Sequence, residues 1–287
     1  MLLLLALLGL AGCPGAPAPA ASSSTELLST VDGASLVRYH LPNGSVAYLQ
    51  NIDVRRMHID QVTGPLDRGT PAAPGNYYPG GTSPRVQRIT VDRMQESCRA
   101  RFGARTFAAV NFSFFEDYQP STQLSFPVKA GGVLLSAGSS PYGPVPQAKH
   151  PYYRMVSLRV LSWDEHRVSI GRYSPATGAP LDDPGTRDAL VTYRYTDHPS
   201  YALDADPPNR YQVLGVVGTD HLLIATVEHA TLDDAAQLLR RQGVQGDILT
   251  FDGGVSTFLW SVSHGTLVPV TNKDGALPHY LCIHSGQ

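Results

Sequence analysis

The chain is organised around residues 247–260, Asp247-Ile248-Leu249-Thr250-Phe251-Asp252-Gly253-Gly254-Val255-Ser256-Thr257-Phe258-Leu259-Trp260. The stretch opens with a short apolar run that includes a β-branched residue and an aromatic ring, a pattern typical of a buried strand. A carboxylate, two glycines and two hydroxyls follow directly. Because glycines carry no side chain, they leave backbone N–H groups open to a ligand. The stretch therefore predicts a buried strand that ends in a polar, ligand-binding turn, although Asp-Gly-Gly is also an ordinary turn sequence.

A helix is predicted immediately upstream of this strand. Thr231 is placed to cap its N-terminus, with Asp234 at the capping-box position where Glu or Gln is more usual. Gly243 stands where the residue after the C-cap belongs. One face of the helix is apolar and consists of Leu232, Ala235, Leu238 and Leu239. Since ligands of sheet proteins gather at the carboxyl ends of strands, this unit favours a functional site over a plain turn.

The same construction occurs earlier in the chain. Residues 90–103 predict an amphipathic helix that ends at Gly103, and its apolar face is formed by Val91, Met94, Cys98 and Phe102. The apolar run at residues 107–110 follows at once. It ends in polar side chains: Asn111, Ser113, Glu116 and Asp117. We expect the polar tips of the two units to meet in one pocket.

Strands dominate the rest of the chain. Hairpins are predicted within residues 36–49, 124–138 and 156–170, and single strands at 57–62, 190–195, 213–218, 222–227, 267–270 and 280–283. Two clear helices interrupt the strands without strict βαβ alternation. The 287-residue chain is therefore predicted to be α+β, with one domain, a mixed, mostly antiparallel β-sheet core and a few helices packed on it.

The N-terminus predicts an exported, lipid-anchored protein. Residues 1–10 are an apolar segment too short to span a bilayer, and Leu10-Ala11-Gly12-Cys13 resembles the lipobox of bacterial lipoproteins. We predict a signal peptide at residues 1–12, a lipidated Cys13 with a flexible tether over residues 13–30, and the folded domain at residues 31–287. An ordinary signal peptide with a chance cysteine is the alternative. The prediction places the protein at the bacterial cell envelope, bound to the membrane through its lipid.

The net charge bears on the kind of partner, and the two remaining cysteines bear on a possible disulfide. The net charge is −2, so nothing in the bulk electrostatics indicates a nucleic-acid partner. Outside the cytoplasm, Cys98 and Cys282 are expected either to form a disulfide or to remain as two buried thiols.

Several catalytic motifs are absent. Phe258 occupies the second glycine position of G-x-S-x-G, so Ser256 is not a nucleophile-elbow serine and a serine hydrolase is disfavoured. The chain has no H-E-x-x-H, paired C-x-x-C or phosphate-binding P-loop motif. The sequence therefore requires no cofactor, and it leaves a divalent metal open.

The two units together resemble the motifs of the phosphodiester glycosidase family. The first family motif, about Asn-Gly-Gly-Phe-Phe-Asp, corresponds to Asn111-Phe112-Ser113-Phe114-Phe115-Glu116, and the second, Asp-Gly-Gly-Gly-Ser-Ser-Thr, to residues 252–258. Order and spacing agree from about Met57 to Ile283. Val255 replaces a glycine of the family pattern, and the family's Arg-Pro pair near the C-terminus has become Leu277-Pro278-His279.

The resemblance implies hydrolysis of a sugar–phosphate diester at the anomeric carbon. It implies Asp252 as the essential carboxylate (base, nucleophile or metal ligand), with Glu116 as the second carboxylate and Glu228 behind it. A non-catalytic glycan- or phosphoglycan-binding lipoprotein is the alternative function.

The resemblance also implies a phosphate- and sugar-binding set. The N–H groups of Gly253 and Gly254 are expected to hold the phosphate together with the hydroxyls of Ser256 and Thr257. Asn111 is expected to hold a sugar hydroxyl or to position Asp252. Arg210, one residue out of register with a family arginine, is expected to clamp the phosphoryl group.

Overall fold

The computed structural model describes residues 24–140 and 157–286. The predicted signal peptide and Cys13 lie outside these residues and stay predictions. Across the described ranges, no helix has the length and apolar character that a membrane span needs.

The secondary structure consists mainly of short strands. The helices are α1 (Val91–Phe102), α2 (Pro199–Ala202) and α3 (Leu232–Arg241). The strands in the first half are β1 (Thr25–Val31), β2 (Ala34–His40), β3 (Val46–Asp53), β4 (Met57–Thr63), β5 (Ala73–Pro74), β6 (Thr82–Ser83), β7 (Arg85–Gln87), β8 (Ile89–Thr90), β9 (Thr106–Asn111), β10 (Ser121–Gln123), β11 (Pro127–Ala130) and β12 (Val133–Ala137). Those in the second half are β13 (Leu158–Trp163), β14 (Val168–Arg172), β15 (Asp188–Arg194), β16 (Asn209–Val217), β17 (His221–Ala230), β18 (Leu249–Thr250), β19 (Leu259–Ser261), β20 (Gly265–Val268), β21 (Ala276–Leu277) and β22 (His279–Ser285).

Two sheets carry the fold. The larger follows the order β1-β2-β3-β17-β16-β18-β15-β11-β12, with β13 paired to β15 and β14 to β13. The smaller follows the order β20-β19-β9-β22-β4. Each strand pair within the described residues is antiparallel, so the mostly antiparallel α+β fold class is confirmed, while the parallel pairing of a mixed sheet is not found there.

The two sheets pack face to face with a helix outside each. Their inner faces share one apolar cluster, which contains Phe251 and Leu214 from the larger sheet and Val110 and Leu281 from the smaller. α3 covers the outer face of the larger sheet, and α1 covers that of the smaller. A sheet needs cover on each apolar face, and this four-layer arrangement supplies it.

The termini of α1 and α3 have the capping residues that the sequence predicts. In α3, Asp234 N donates to Thr231 Oγ1 (3.1 Å) and Thr231 N donates to the Asp234 carboxylate (2.9 Å), which completes the capping box with Asp in place of Glu. Gly243 follows with a positive φ of 96°, a conformation in which glycine is unstrained. Thr90 caps α1 through the N–H of Arg93. The capped helices lead directly into the two buried segments of the site.

The domain begins earlier than predicted. β1 starts at Thr25, inside the segment predicted as a tether, and pairs along its length with β2. Glu26 forms an ion pair with Arg38 across this ladder, and Leu28 packs against the central cluster. These cross-strand contacts require the partner strand, which explains why local composition placed the boundary at residue 31.

A disulfide links the smaller sheet to its helix. Cys98 of α1 and Cys282 of β22 are bonded, with their Cα atoms 6.0 Å apart, and both residues are fully buried. The structure thus resolves the alternative of two buried thiols in favour of the bridge.

Candidate active site

The polar ends of β9 and β18 meet, as the repeated helix–strand pattern led us to expect. The side-chain amide of Asn111 donates to the carbonyl of Asp252 (2.7 Å) and accepts from the N–H of Phe258 (2.7 Å). The backbone N–H of Asp252 donates to the carbonyl of Phe112 (3.3 Å). Behind this junction the rings of Phe112 and Phe251 stack with centroids 4.2 Å apart. One side chain therefore ties both ends of the Asp252 turn to the neighbouring sheet.

Asn111 positions the turn and does not present a free amide to a sugar. Asn111 is only 1% exposed. Its side-chain N–H and carbonyl oxygen are both hydrogen-bonded to backbone groups of the 252–258 segment. Of the two roles predicted for Asn111, the structure supports the positioning of Asp252. Burial of Asn111 and its two bonds to the turn do not favour the sugar-binding role, which stays a prediction.

We expect Asn111→Ala to lower the free energy of unfolding by about 2–4 kcal/mol, because it leaves a buried carbonyl and a buried N–H without partners. Chemical denaturation measures the change. Asn76→Ala is the matched control, since the Asn76 amide bonds to the Ser139 carbonyl at an exposed site and its loss should cost below about 1 kcal/mol. Equal losses in the two variants would contradict the role of Asn111 as a brace.

Asp252 is desolvated at the centre of the site. The residue is partly accessible, but its Oδ2 is buried and has no hydrogen-bond partner within the described residues. Burial raises the pKa of Asp252 to about 7, and a hydrogen bond from Ser256 to the ionised carboxylate opposes the shift. A carboxyl group with such a pKa exchanges its proton near neutral pH, which is what general acid–base chemistry requires.

The turn after Asp252 leaves a row of backbone donors open. The N–H groups of Gly253, Gly254 and Val255 donate to no acceptor in the described parts of the chain. Gly254 has a φ of +60°, and a Cβ on Gly253 would lie 3.0 Å from the carbonyl of Arg210. Both positions therefore favour glycine, the first through a close contact and the second through its left-handed backbone. Neighbouring N–H groups of this kind suit an anionic oxygen.

The hydroxyls of Ser256 and Thr257 are not placed to bind a phosphate as the sequence analysis predicts. Ser256 and Thr257 are both fully buried, because the short 3-10 turn at Gly254–Ser256 points them inward. Ser256 is engaged by Asp252 and by the phenolic oxygen of Tyr118, 3.0 Å away, and Thr257 Oγ1 has no partner among the described residues. The phosphate-binding prediction for these hydroxyls is therefore wrong. Ser256 instead bonds to the carboxylate.

Tyr118 is a site residue that the sequence analysis missed. Its side chain is half exposed beside the turn, and its ring lies 5.5 Å from the Arg88 guanidinium. Burial raises the pKa of Tyr118, and the nearby charge of Asp252 adds to this effect. No local pattern marks the residue, since the loop that carries it folds back onto the turn only in three dimensions.

Arg210 and Glu228 reach the same turn as a pair. Their charged groups lie 3.5 Å apart, and Arg210 also donates to the carbonyl of Thr257 (3.2 Å), to Thr271 Oγ1 (3.0 Å) and to the carbonyl of Pro269. Burial lowers the pKa of Arg210, and Glu228 opposes this. Arg210 thus holds the turn against the 269–271 loop with Glu228 as its counter-ion, and the catalytic role of Glu228 stays a prediction.

Glu116 is hydrogen-bonded to two serine side chains and not to the Asp252 turn. Burial raises the pKa of Glu116, hydrogen bonds from the side chains of Ser125 and Ser139 oppose this shift, and the neighbouring carboxylate of Asp117 adds to it. The chain turns away after Asn111 because Phe114 stacks on Tyr193 with centroids 5.2 Å apart. Neither carboxyl group is among the groups that shift the pKa of the other, so the structure does not pair Glu116 with Asp252 as the second carboxylate.

The altered C-terminal motif places a neutral group near the junction. His279 is buried, its Nδ1 lies 2.6 Å from Ser113 Oγ, and burial lowers its pKa to about 3. The imidazole is therefore uncharged at neutral pH, and no cation replaces the family arginine there. Within the described ranges, no group of three His, Cys, Asp or Glu side chains is arranged to hold a metal ion.

Comparisons with known proteins identify the fold. No protein-family model and no curated protein matches the chain. Among solved structures, the catalytic domain of zebrafish N-acetylglucosamine-1-phosphodiester alpha-N-acetylglucosaminidase, auto-inhibited by its propeptide, matches with a TM-score of 0.55 at 13% identity, over 92% of this chain and 89% of that one. A hypothetical protein from Synechocystis matches with a TM-score of 0.52 at 12% identity, over 93% of this chain and 64% of that one. The chain therefore shares the fold of the zebrafish catalytic domain.

Proposed function

We propose that this protein hydrolyses glycosyl phosphodiesters, cleaving the bond between the anomeric carbon and the phosphate oxygen of an envelope or extracellular glycan. The observation that carries the proposal is the Asp252 turn, in which a desolvated carboxyl group adjoins a row of open backbone donors. The shared fold supports it.

The proposed chemistry divides between the carboxylate and the backbone. The ionised form of Asp252 either attacks the anomeric carbon as the nucleophile or removes a proton from the water that attacks this carbon. The N–H groups of Gly253, Gly254 and Val255 bind the phosphoryl oxygens and stabilise the negative charge of the leaving phosphate. The exposed ring of Tyr118 lies beside this turn and offers a surface on which a sugar ring can stack.

The absence of Glu116 from the turn fits this substrate better than an ordinary glycoside. Most glycosidases need a second carboxylic acid to protonate the departing oxygen. A phosphate monoester leaves as a stabilised anion, so strong acid assistance is unnecessary. A single carboxyl group flanked by anion-binding donors is therefore sufficient for a phosphodiester and insufficient for a simple glycoside.

Incubation of the soluble domain with an α-N-acetylglucosamine-1-phosphodiester is expected to release free sugar and phosphomonoester in equal amounts. Because the ionised form of Asp252 is the reactive one, kcat/KM should rise with pH up to about 7 and then level off. The methyl glycoside of the same sugar, which lacks the phosphate, is the control and should not be cleaved.

Saturable binding of the phosphodiester without release of sugar would support a second function, a non-catalytic phosphoglycan-binding protein. One observation favours this alternative. The side chains of Asn111 and Arg210 are already committed to backbone carbonyls, which leaves few mobile groups at the site. Calorimetric titration alongside the product assay distinguishes the two functions.

A further inference from the structure

A cluster of arginines lies on the larger sheet, outside the turn at residues 252–257. Arg159 in β13 and Arg172 in β14 are direct cross-strand partners. Arg159 is also the cross-strand partner of Thr192 in β15, and Arg194 follows two residues later on the same face. The three guanidinium groups therefore extend from one side of three adjacent strands.

These arginines line a cavity of about 380 Å³. The other described lining residues are Ser157, Leu158, Tyr173 and Pro175, so the described part of the lining contains three cations and no carboxylate. A cavity of this size accommodates a phosphate or sulfate group together with part of the molecule that carries it.

Two of the arginines are each held in place by an ion pair with an aspartate. Arg159, with a side chain only 10% exposed, pairs through Nε with Asp247 and donates through Nη1 to the carbonyl of Leu158. Arg194 is held by Nε and Nη2 on the carboxylate of Asp197, at 3.2 and 3.1 Å. Each keeps one further NH2 group that donates to no described residue. A guanidinium fixed by an acid on one edge can offer its remaining NH2 group to an anion with little further loss of side-chain entropy.

The third arginine leaves the cluster with an excess of positive charge. Arg172 forms no ion pair with any described residue, and it stands directly opposite Arg159 across the ladder. Like charges in that position destabilise a sheet. An anion between the two guanidinium groups removes the repulsion and uses their open donors.

We propose that this cavity is a binding site for a tetrahedral oxyanion, such as a phosphate or sulfate group on a glycan. The site is separate from the Asp252 turn, and it does not depend on hydrolysis there. Its ligand donors are Nη2 of Arg159, Nη1 of Arg194 and the exposed guanidinium of Arg172.

Titration with inorganic phosphate, followed by amide NMR shifts, tests the site directly. In the wild type, the signals of residues 157–159 and 172–173 should move with phosphate concentration. Arg172→Gln should weaken this binding by about tenfold or more, since a charge-assisted hydrogen bond is lost. Arg167→Gln, an exposed arginine on the same hairpin and outside the cavity lining, is the control and should bind phosphate as the wild type does.

Unchanged shifts at these residues in the wild type, or equal affinity in Arg172→Gln and Arg167→Gln, would overturn the proposal. Sulfate at equal ionic strength should compete with phosphate at this cavity, whereas chloride should not. Failure of phosphodiester hydrolysis leaves all these outcomes intact, because none of the signals or variants belongs to the Asp252 turn.

Discussion

Asp252→Asn is expected to lower kcat/KM for a glycosyl phosphodiester by about 10³-fold, a loss within the range measured when a catalytic carboxylate or base is removed. The amide can neither attack the anomeric carbon nor accept a proton from water. The fold should survive, because the turn is held by backbone donors and by Asn111, neither of which depends on the charge of the carboxylate.

The same substitution should stabilise the protein at alkaline pH. The pKa of Asp252 is raised from its ordinary value of 3.8 to about 7 in the folded state, so the native protein holds its proton more tightly than the unfolded chain. The stability contributed by the protonated group is fully present below about pH 4 and is lost as pH rises through 7. The loss is on the order of a few kcal/mol, and an uncharged amide avoids it.

Thermal melting of the wild type and of Asp252→Asn at pH 5 and at pH 8 measures this effect. The variant should melt higher at pH 8, and the difference should shrink at pH 5. Asp92→Asn, which removes an exposed carboxylate in the first turn of α1, is the control and should show no such pH-dependent gain. Full turnover in Asp252→Asn with a normal melting curve would remove Asp252 from the mechanism.

Loss of the Cys98–Cys282 disulfide is expected to have the largest effect on stability. The bond joins residues 184 positions apart, so it removes a large loop-closure entropy from the unfolded chain. Replacement of both cysteines by alanine should lower the free energy of unfolding by about 2–5 kcal/mol. For a domain of this size, the corresponding fall in melting temperature is on the order of 10 °C.

Calorimetry of the double variant, with and without reductant, checks this prediction. Reductant should lower the melting temperature of the wild type once the buried bond has been reduced, and it should leave the double variant unchanged. A double variant that melts with the oxidised wild type would show that packing of α1 on the smaller sheet supplies the stability by itself.

Local sequence patterns predicted the elements around the site. The helices at residues 91–102 and 232–241, their caps and the buried strand at Phe107–Val110 follow from side-chain periodicity and capping chemistry, which act within a few residues. The repeated helix–strand unit also predicted that Asn111 and Asp252 meet. β18 is shorter than the predicted apolar run, because only Leu249 and Thr250 pair with β15 and β16 before the chain enters the glycine turn.

The partner of each polar side chain was decided by the tertiary structure. Glu116 is the last residue of the first motif, yet the stacking of Phe114 on Tyr193 directs it to Ser125 and Ser139. Tyr118 reaches Ser256 across 138 positions of sequence, a contact that no local pattern encodes.

By itself, the sequence determined the fold class, the helix boundaries and the carboxylate turn, because hydrophobic periodicity, caps and glycine conformations are local properties of the chain. Only the tertiary structure decided that Asn111 is a brace, that Glu228 is the counter-ion of Arg210, and that Asp252 is desolvated. Burial and hydrogen-bond partners arise where distant segments meet, and they set both the pKa of a carboxyl group and the donors that remain free for a ligand.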